Sequence, residues 1–152
     1  MFTREVLGLK EAKAAVTAIL EEASKKPGQP ISIIVVDHQG EIVYAARMDG
    51  STPMFNYMAL KKARSSATTG KNTRDWLEFL SKRNYTAHDF VPDATRIPGG
   101  IAIVKPDGDS PNDSRQGSNG ILGGIGVSGR SGNEDEALSI VGLKAIQKSV
   151  WG

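Results

Sequence analysis

The sequence predicts an α+β fold in which an antiparallel sheet is flanked by helices, within a single domain that spans residues 1–152. Three observations support this fold class. Apolar residues recur at spacings of three and four in several long segments, as they do in amphipathic helices. Successive β-rich segments are joined without a helix between them, which predicts hairpins rather than parallel crossovers. The chain of 152 residues is also long enough to bury one sizeable core.

The first helix is predicted at 4–26, because its apolar residues keep to helical spacing: Leu9, Ala12, Val16, Ile19, Leu20 and Ala23. The segment KPGQP at 26–30 ends this helix. The apolar run ISIIVV at 31–36 predicts a buried strand. After the turn DHQG, the segment EIVYAARM at 41–48 returns as a second strand and completes an antiparallel hairpin.

Two further helices are predicted after this hairpin. Segment 54–70 carries one ridge that is mostly alanine and a second ridge that is polar: Phe55, Ala59, Ala63 and Ala67 form the first, and Lys61, Arg64 and Thr68 form the second. A ridge of alanines lets a helix lie close to a sheet or to a partner helix. Gly70 ends this helix, and Thr73 is expected to cap a short one, RDWLEFLSK. Residues 83–98 show no clear periodicity and are expected to form a long loop.

The last two strands are predicted at GGIAIV, 99–104, and at ILGGIGVSG, 121–129, with a polar connection at 105–120. The glycines at 124, 126 and 129 match the formal pattern G-x-G-x-x-G. A dinucleotide site needs a helix and then a second parallel strand after this pattern, and only a helix is predicted here. The nucleotide interpretation is therefore rejected. Glycines inside a strand indicate instead that a helix, another subunit or a ligand comes close to the backbone.

The final helix has a clear start signal, because Ser131 is followed three residues later by Glu134, as in a capping box. The resulting order is helix–hairpin–helix–helix–hairpin–helix. We expect the last strand to lie inside the sheet and helices to cover one face or both.

Composition excludes several classes of protein. The formal net charge is +2, and no segment concentrates basic residues with aromatic ones, so we expect no nucleic-acid partner. The chain has no cysteine, which excludes disulfides and zinc–thiolate sites. No run of 18 apolar residues occurs, and the charged N-terminal segment is not expected to act as a signal peptide, so we expect a cytoplasmic protein with no membrane partner.

Four segments together resemble the GlcG/HbpS-like family: VVDHQGEIVYAARMDGS, ALKKARSSA, IPGGIAIV and GGIGVSGRSGNEDEALS. The same domain forms the C-terminus of PduO-type corrinoid adenosyltransferases, and the resemblance covers about residues 3–149. It implies a five-stranded antiparallel sheet flanked by helices and a homo-oligomer, often an octamer. It also implies haem as a candidate cofactor, because several members bind haem. Other members stand beside catabolic operons without a settled role.

The candidate ligand-binding residues are basic side chains together with the GG dipeptide: Arg47, Lys61, Arg64, Arg130, Gly99 and Gly100, with Lys62 as a further charge of the same group. If the sheet brings these ends together, they form a basic pocket for carboxylates, either haem propionates or a small organic acid. The alternative is that they are separate solvated charges or salt bridges between subunits.

His88 is the candidate haem ligand or acid/base group, with an ordinary surface histidine as the alternative, and His38 is expected to be exposed in a tight turn. No metal site is predicted, because the aspartates at 107, 109 and 113 lack the glycine and glutamate of an EF-hand loop. Any catalysis would use His88, Tyr57, Tyr85 or a lysine. Two functions follow as alternatives: a binding protein for haem or a related tetrapyrrole, and a small acid/base enzyme or binder that acts on an organic acid in a catabolic pathway.

Overall fold

The computed structural model describes residues 1, 3–105 and 120–151. Its elements, in chain order, are α1 (Leu9–Ser24), β1 (Ser32–Asp37), β2 (Ile42–Arg47), α2 (Pro53–Thr69), α3 (Thr73–Arg83), a short 3-10 helix (Ala87–Asp89), β3 (Gly100–Val104), β4 (Ile121–Ser128) and α4 (Gly132–Trp151). Most of the connection predicted at 105–120, with the three aspartates weighed for calcium, lies outside the described residues.

The described residues form one four-stranded antiparallel sheet in the order β2-β1-β4-β3. The last strand therefore lies inside the sheet, between β1 and β3, as predicted. The five strands implied by the family resemblance are not found in the described part of the chain. The predicted order of elements is also not matched, because the 3-10 helix Ala87–Asp89 stands between α3 and β3.

The 3-10 helix forms because its ends are hydrogen-bonded locally. The Asp89 carboxylate accepts hydrogen bonds from the backbone amide of Thr86, at 2.8 Å, and from its hydroxyl, at 3.0 Å. This is a capping box with aspartate in place of the usual glutamate or glutamine. Four side chains from this region and from α3 form a small separate core: Trp76, Leu80, Ala87 and Ala94.

Helices cover both faces of the sheet. Alternate residues of β1 point to opposite faces, as the pleat requires. Ile33 and Val35 belong to the larger core, which is formed with α1 and α4, and Ile34 and Val36 belong to a smaller core beneath α2. The molecule therefore has three layers, with α2 on one side of the sheet and α1 and α4 on the other.

The alanines of α2 pack directly against the glycines of β4. A Cβ atom on Gly126 would meet the carbonyl oxygen of Ala59, and one on Gly124 would meet that of Ala63. Ala59 and Ala63 are completely buried in the small core beneath α2. Two glycines of the formal G-x-G-x-x-G pattern thus make room for the chain's own helix, while the third, Gly129, has φ +140° and lies against the backbone of Pro30. The alanine ridge is therefore used inside the molecule.

The start of α3 covers the free edge of β3. The Asn72 side chain, at the N-cap position, accepts a hydrogen bond from the Ala102 amide at 3.1 Å. The Thr73 hydroxyl accepts one from the Gly100 amide at 3.0 Å. Thr73 was expected to cap α3, but it is the first helical residue and caps the edge strand instead. These two side chains satisfy outward amides that would otherwise invite pairing with another strand.

Candidate functional site

Of the basic side chains predicted to form a pocket, the structure brings two together. Lys61 and Arg64, on the outer side of α2, each lie 3.9 Å from a carboxylate oxygen of Asp93. The Arg64 Nε atom also donates a hydrogen bond to the carbonyl of Gly40, at 2.9 Å. Both charges thus lie beside the loop before β3 and near the β1–β2 turn.

Arg130 lies elsewhere and is already occupied. Its guanidinium donates hydrogen bonds to the carbonyls of Gln29 at 3.0 Å, Ala23 at 3.1 Å and Lys26 at 3.2 Å. These are the last carbonyls of α1 and its following turn, which a cation stabilises. Arg130 therefore closes the end of α1 on the side of the sheet opposite α2. Arg130 was expected to join a basic pocket at the strand ends, and it does not. Its hydrogen-bonding partners lie about 100 residues away in sequence, so no local pattern indicated them.

Arg47 is exposed at the end of β2, where its Cα pairs with Ser32. The Gly40 turn that holds Arg64 lies at the opposite end of the same hairpin. Arg47 and Arg64 therefore do not share a pocket. Within the described ranges, Arg47 has no ion-pair or hydrogen-bond partner for its side chain.

The GG dipeptide is buried rather than open to a ligand. The Gly100 amide donates a hydrogen bond to the Thr73 hydroxyl. The Gly99 carbonyl accepts hydrogen bonds from the Val127 amide at 3.1 Å and the Ser139 hydroxyl at 2.7 Å. Gly99 has φ +126°, a conformation that favours glycine. A Cβ atom there would lie 2.8 Å from the Lys62 ammonium. The dipeptide therefore lets the chain pass over a buried lysine.

The buried pair of Lys62 and Asp135 is the feature that the sequence prediction missed. Both side chains are 2% exposed, and the Lys62 Nζ atom donates to an Asp135 carboxylate oxygen at 3.1 Å and to the Val127 carbonyl at 2.9 Å. The other carboxylate oxygen accepts from the Arg130 amide at 3.0 Å. Burial lowers the pKa of Lys62 and raises the pKa of Asp135, with the partner's charge opposing each shift. The pair joins α2, β4 and α4, and it lines none of the clefts described below.

His88 lies in a surface cavity of about 340 Å³, which we call the His88 cavity and which is lined by Thr86, Ala87, His88, Ala94, Thr95, Arg96 and Ile97. His88 is itself exposed, and Ala87 and Ala94 are buried in the wall. In the part of the chain that the structure describes, no side chain pairs with Arg96. The cavity therefore combines an apolar wall, an imidazole and an unpaired guanidinium.

Local contacts fix the shape of the His88 cavity. The Thr95 amide donates to the buried Ser65 hydroxyl of α2 at 2.7 Å, which ties one wall to the helix. On the other wall, the Thr86 amide is the main cause that lowers the pKa of Asp89. The stabilisation that this hydrogen bond gives is therefore fully present at a pH above the usual pKa of an aspartate, and it is lost as the pH falls through the lowered pKa of Asp89.

The remaining candidates lie outside this cavity. His38 was expected to be exposed, but it is half-buried, and its Nδ1 atom is buried without a hydrogen-bond partner among the described residues. Tyr57 is 69% exposed on α2, and Tyr85 is 48% exposed against Phe90. The described ranges contain no group of three or more His, Cys, Asp or Glu side chains that could hold a metal ion. None of the helices in these ranges is both long enough and apolar enough to cross a membrane.

Relatives of known structure share this fold. HbpS of Streptomyces reticuli, solved as a double mutant, is 26% identical, with a TM-score of 0.79 over 100% of this chain and 91% of that one. A PduOC:haem complex is 19% identical, with a TM-score of 0.73 over 93% of this chain and 95% of that one. At 19% identity the likeness to PduOC concerns the fold.

Sequence comparisons give the family. The model of the HbpS-like family, described as "Haem degrading protein HbpS-like", matches residues 7–144. Protein GlcG of Escherichia coli strain K12 is 31% identical over 128 residues, which are 84% of this chain and 85% of GlcG. Because both matches extend over most of the sequence, the chain belongs to the HbpS-like family.

Proposed function

We propose that the protein binds haem or a related tetrapyrrole with low affinity, and that the His88 cavity is the site. The observation that carries the proposal is the combination in one cavity of an apolar wall, an exposed imidazole and the unpaired guanidinium of Arg96. The family description and the haem complex of PduOC support haem as the ligand class.

Each part of the cavity matches one part of a haem. The imidazole of His88 can ligate the iron, since histidine is a common axial ligand. Ala87, Ala94 and Ile97 offer an apolar surface to the ring, and Arg96 can pair with a propionate. A cavity of about 340 Å³ lies near the lower end of small-molecule sites. A tetrapyrrole would therefore be only partly enclosed.

Partial enclosure limits the affinity. Charge-assisted hydrogen bonds to a propionate contribute roughly 2–4 kcal/mol. Micromolar binding needs about 8 kcal/mol, so axial ligation and contact with the apolar wall supply the remainder. We expect micromolar rather than nanomolar affinity.

The test is a haemin titration followed by the Soret band, on the wild type, His88→Ala and Arg96→Met. His38→Ala is the matched control, because it removes the other histidine of the chain and lies in the β1–β2 turn. We expect a shifted Soret band in the wild type and in His38→Ala. His88→Ala should lose the shift, and Arg96→Met should weaken binding about tenfold while the band position stays the same.

Other outcomes would contradict the proposal. If the wild type shows no shift below the concentration at which haemin aggregates, haem is not its ligand. If His88→Ala binds like the wild type and His38→Ala does not, the site lies at the β1–β2 turn and not in the His88 cavity.

We also infer that the chain assembles into a homo-oligomer larger than a dimer, with an octamer as the size that the family resemblance implies. The alanine ridge does not support this inference, because it packs against β4 of the same chain. Support comes from apolar side chains on the outer surface of α2, where Met54 is 61% and Tyr57 is 69% exposed. Light scattering should give a mass more than twice the 16.2 kDa of one chain.

The variant Tyr57→Lys should lower this mass, because it places a charge on that surface. Thr17→Lys, on the exposed side of α1, is the control and should leave the mass unchanged. A wild type that scatters as a single chain at micromolar concentration would refute the inference.

A further inference from the structure

A second, larger cleft lies between α3 and the free edge of β3, away from the His88 cavity. Its volume is about 560 Å³, and we call it the α3–β3 cleft; it is lined by Gly70, Lys71, Asn72, Asp75, Glu78, Phe79, Lys82, Arg83, Ala102 and Val104. The two cavities share no lining residue. The small core around Trp76 and Leu80 stands between them, because it contributes Ala87 and Ala94 to one cavity and packs against Phe79 of the other.

Two cations are held against one aromatic ring in this cleft. The Arg83 guanidinium lies 4.0 Å from the centroid of the Phe79 ring, and its Nη1 atom donates to the Phe79 carbonyl at 3.3 Å. The Lys71 ammonium lies 5.6 Å from the same centroid. Trp76 stacks on Phe79 with centroids 5.4 Å apart and planes at 11°, so the ring is held from within. Because these contacts restrict both cations, less side-chain entropy is lost when they bind an anion.

The charges of the lining are not balanced internally. Lys82 is paired with Glu78 at 3.0 Å. In contrast, the described residues place no carboxylate within ion-pair distance of Lys71 or Arg83. Asp75 is the other carboxylate of the lining. Two unpaired cations therefore face one unpaired carboxylate, and the cleft favours a small anion of low charge.

We propose that the α3–β3 cleft binds small organic monocarboxylates that carry an apolar group. The Arg83 guanidinium donates to the Phe79 carbonyl through Nη1, which leaves Nε and Nη2 available for bidentate recognition of a carboxylate. Lys71 supplies a second positive charge. The apolar part of the ligand would lie against Ala102 and Val104 of β3, and Val104 is 39% exposed there.

The acidic side chains of the same lining argue for this ligand class over phosphate groups. Asp75 and Glu78 would repel a dianion or a nucleic-acid backbone more strongly than a single carboxylate. Inorganic anions have no apolar group that could pack against Ala102 and Val104. This ligand chemistry is close to the organic-acid alternative drawn from the sequence, but none of the residues that were named by number for it lies in this cleft.

Trp76 makes the site observable, because it stacks on Phe79. The chain has two tryptophans, and the other, Trp151, lines a different cavity beside Leu7 and Ile146. In a Trp151→Phe background, we would titrate cyclohexanecarboxylate, which does not absorb at the excitation wavelength, and follow Trp76 fluorescence. Cyclohexylmethanol is the neutral isostere, and sodium phosphate at equal ionic strength tests for general anion binding.

We expect saturable binding of the carboxylate at millimolar or better affinity, and at least tenfold weaker binding of the alcohol and of phosphate. Arg83→Met should weaken carboxylate binding at least tenfold. Arg83→Lys should have an intermediate effect, because it keeps the charge and loses the bidentate donor. Lys148→Met, an exposed lysine in the last turn of α4, should bind like the parent. Ligand-observed saturation-transfer NMR on the unmodified chain gives the same comparison if Trp151→Phe fails to fold.

Equal binding of the acid and the alcohol would overturn the proposal, because it would show apolar contact alone. Phosphate binding as tight as that of the acid would also overturn it, as would an unchanged affinity in Arg83→Met. The haemin experiment probes different residues, so either site can fail without the other.

Discussion

Replacing Lys62 by alanine is expected to lower the free energy of unfolding by about 3–5 kcal/mol, because it leaves the Asp135 carboxylate buried without its cation. Both side chains are 2% exposed, so water cannot take the place of the missing partner. The Val127 carbonyl would also lose a hydrogen bond donor. Chemical denaturation monitored by circular dichroism measures this loss.

A double-mutant cycle separates the pair from its surroundings. Asp135→Asn alone leaves a buried ammonium facing a neutral amide, and Lys62→Met alone leaves a buried carboxylate. The double variant removes both charges and should be more stable than the sum of the single losses predicts, by at least about 1 kcal/mol. Lys82→Met is the matched control, because it breaks the exposed pair with Glu78 and should cost under about 1 kcal/mol. Additive losses would show that the two charges are not coupled.

The pH dependence of stability tests the same pair. The pKa of Lys62 is lowered by burial. Its contribution to the free energy of unfolding is therefore fully present above the unfolded pKa of 10.5 and is lost as the pH falls through the lowered pKa of the folded state. The pKa of Asp135 is raised by burial, so its contribution is fully present below the unfolded value of 3.8 and is lost as the pH rises. In the double variant that removes both charges, the free energy of unfolding should therefore vary less with pH between the two unfolded pKa values, 3.8 and 10.5.

Lys62 was one of the charges considered for a basic pocket, and the sequence also carried a signal that its side chain is buried. Lys62 follows Ala59 by three residues and precedes Ser66 by four, so it falls on the buried side of α2. Its partner could not be inferred, because it lies 73 residues away on another helix. A lysine on an alanine face predicts a buried partner without identifying it.

Long elements with a clear periodicity or start signal were predicted well, and a short element and the cleft built from distant segments were not. The capping box at Ser131 and Glu134 predicted the start of α4, and the Glu134 amide does donate to the Ser131 hydroxyl at 3.2 Å. The 3-10 helix at Ala87–Asp89 was missed, because three residues are too few to show periodicity. The α3–β3 cleft was not predicted, because α3 and the edge of β3 meet only after folding. His88 was named as a candidate, but the segment 86–97 that lines its cavity showed no periodicity from which the cavity could be inferred.

Replacing Gly126 by alanine is expected to destabilise the protein by about 3 kcal/mol, at the upper end of the usual cost of overpacking. The added Cβ atom would meet the carbonyl oxygen of Ala59 and would lie 2.8 Å from the Ala63 amide nitrogen. Both are backbone atoms of α2, so the helix itself must move away from the sheet. For a chain of this length, the midpoint of thermal unfolding should fall by roughly 6–12 °C.

Two further variants show whether the backbone contact is the cause. Gly132→Ala adds a methyl group where the nearest heavy atom is Pro98 Cβ at 3.3 Å, and it should change stability by under about 1 kcal/mol. Ala59→Gly removes a side chain from α2 but leaves its carbonyl in place, so adding it to Gly126→Ala should not recover stability and should cost up to about 1 kcal/mol more. Recovery in that double variant would mean that the helix packs on β4 through its side chains. Residue 126 would then have room for a methyl group, and the close approach of α2 to the sheet would need another explanation.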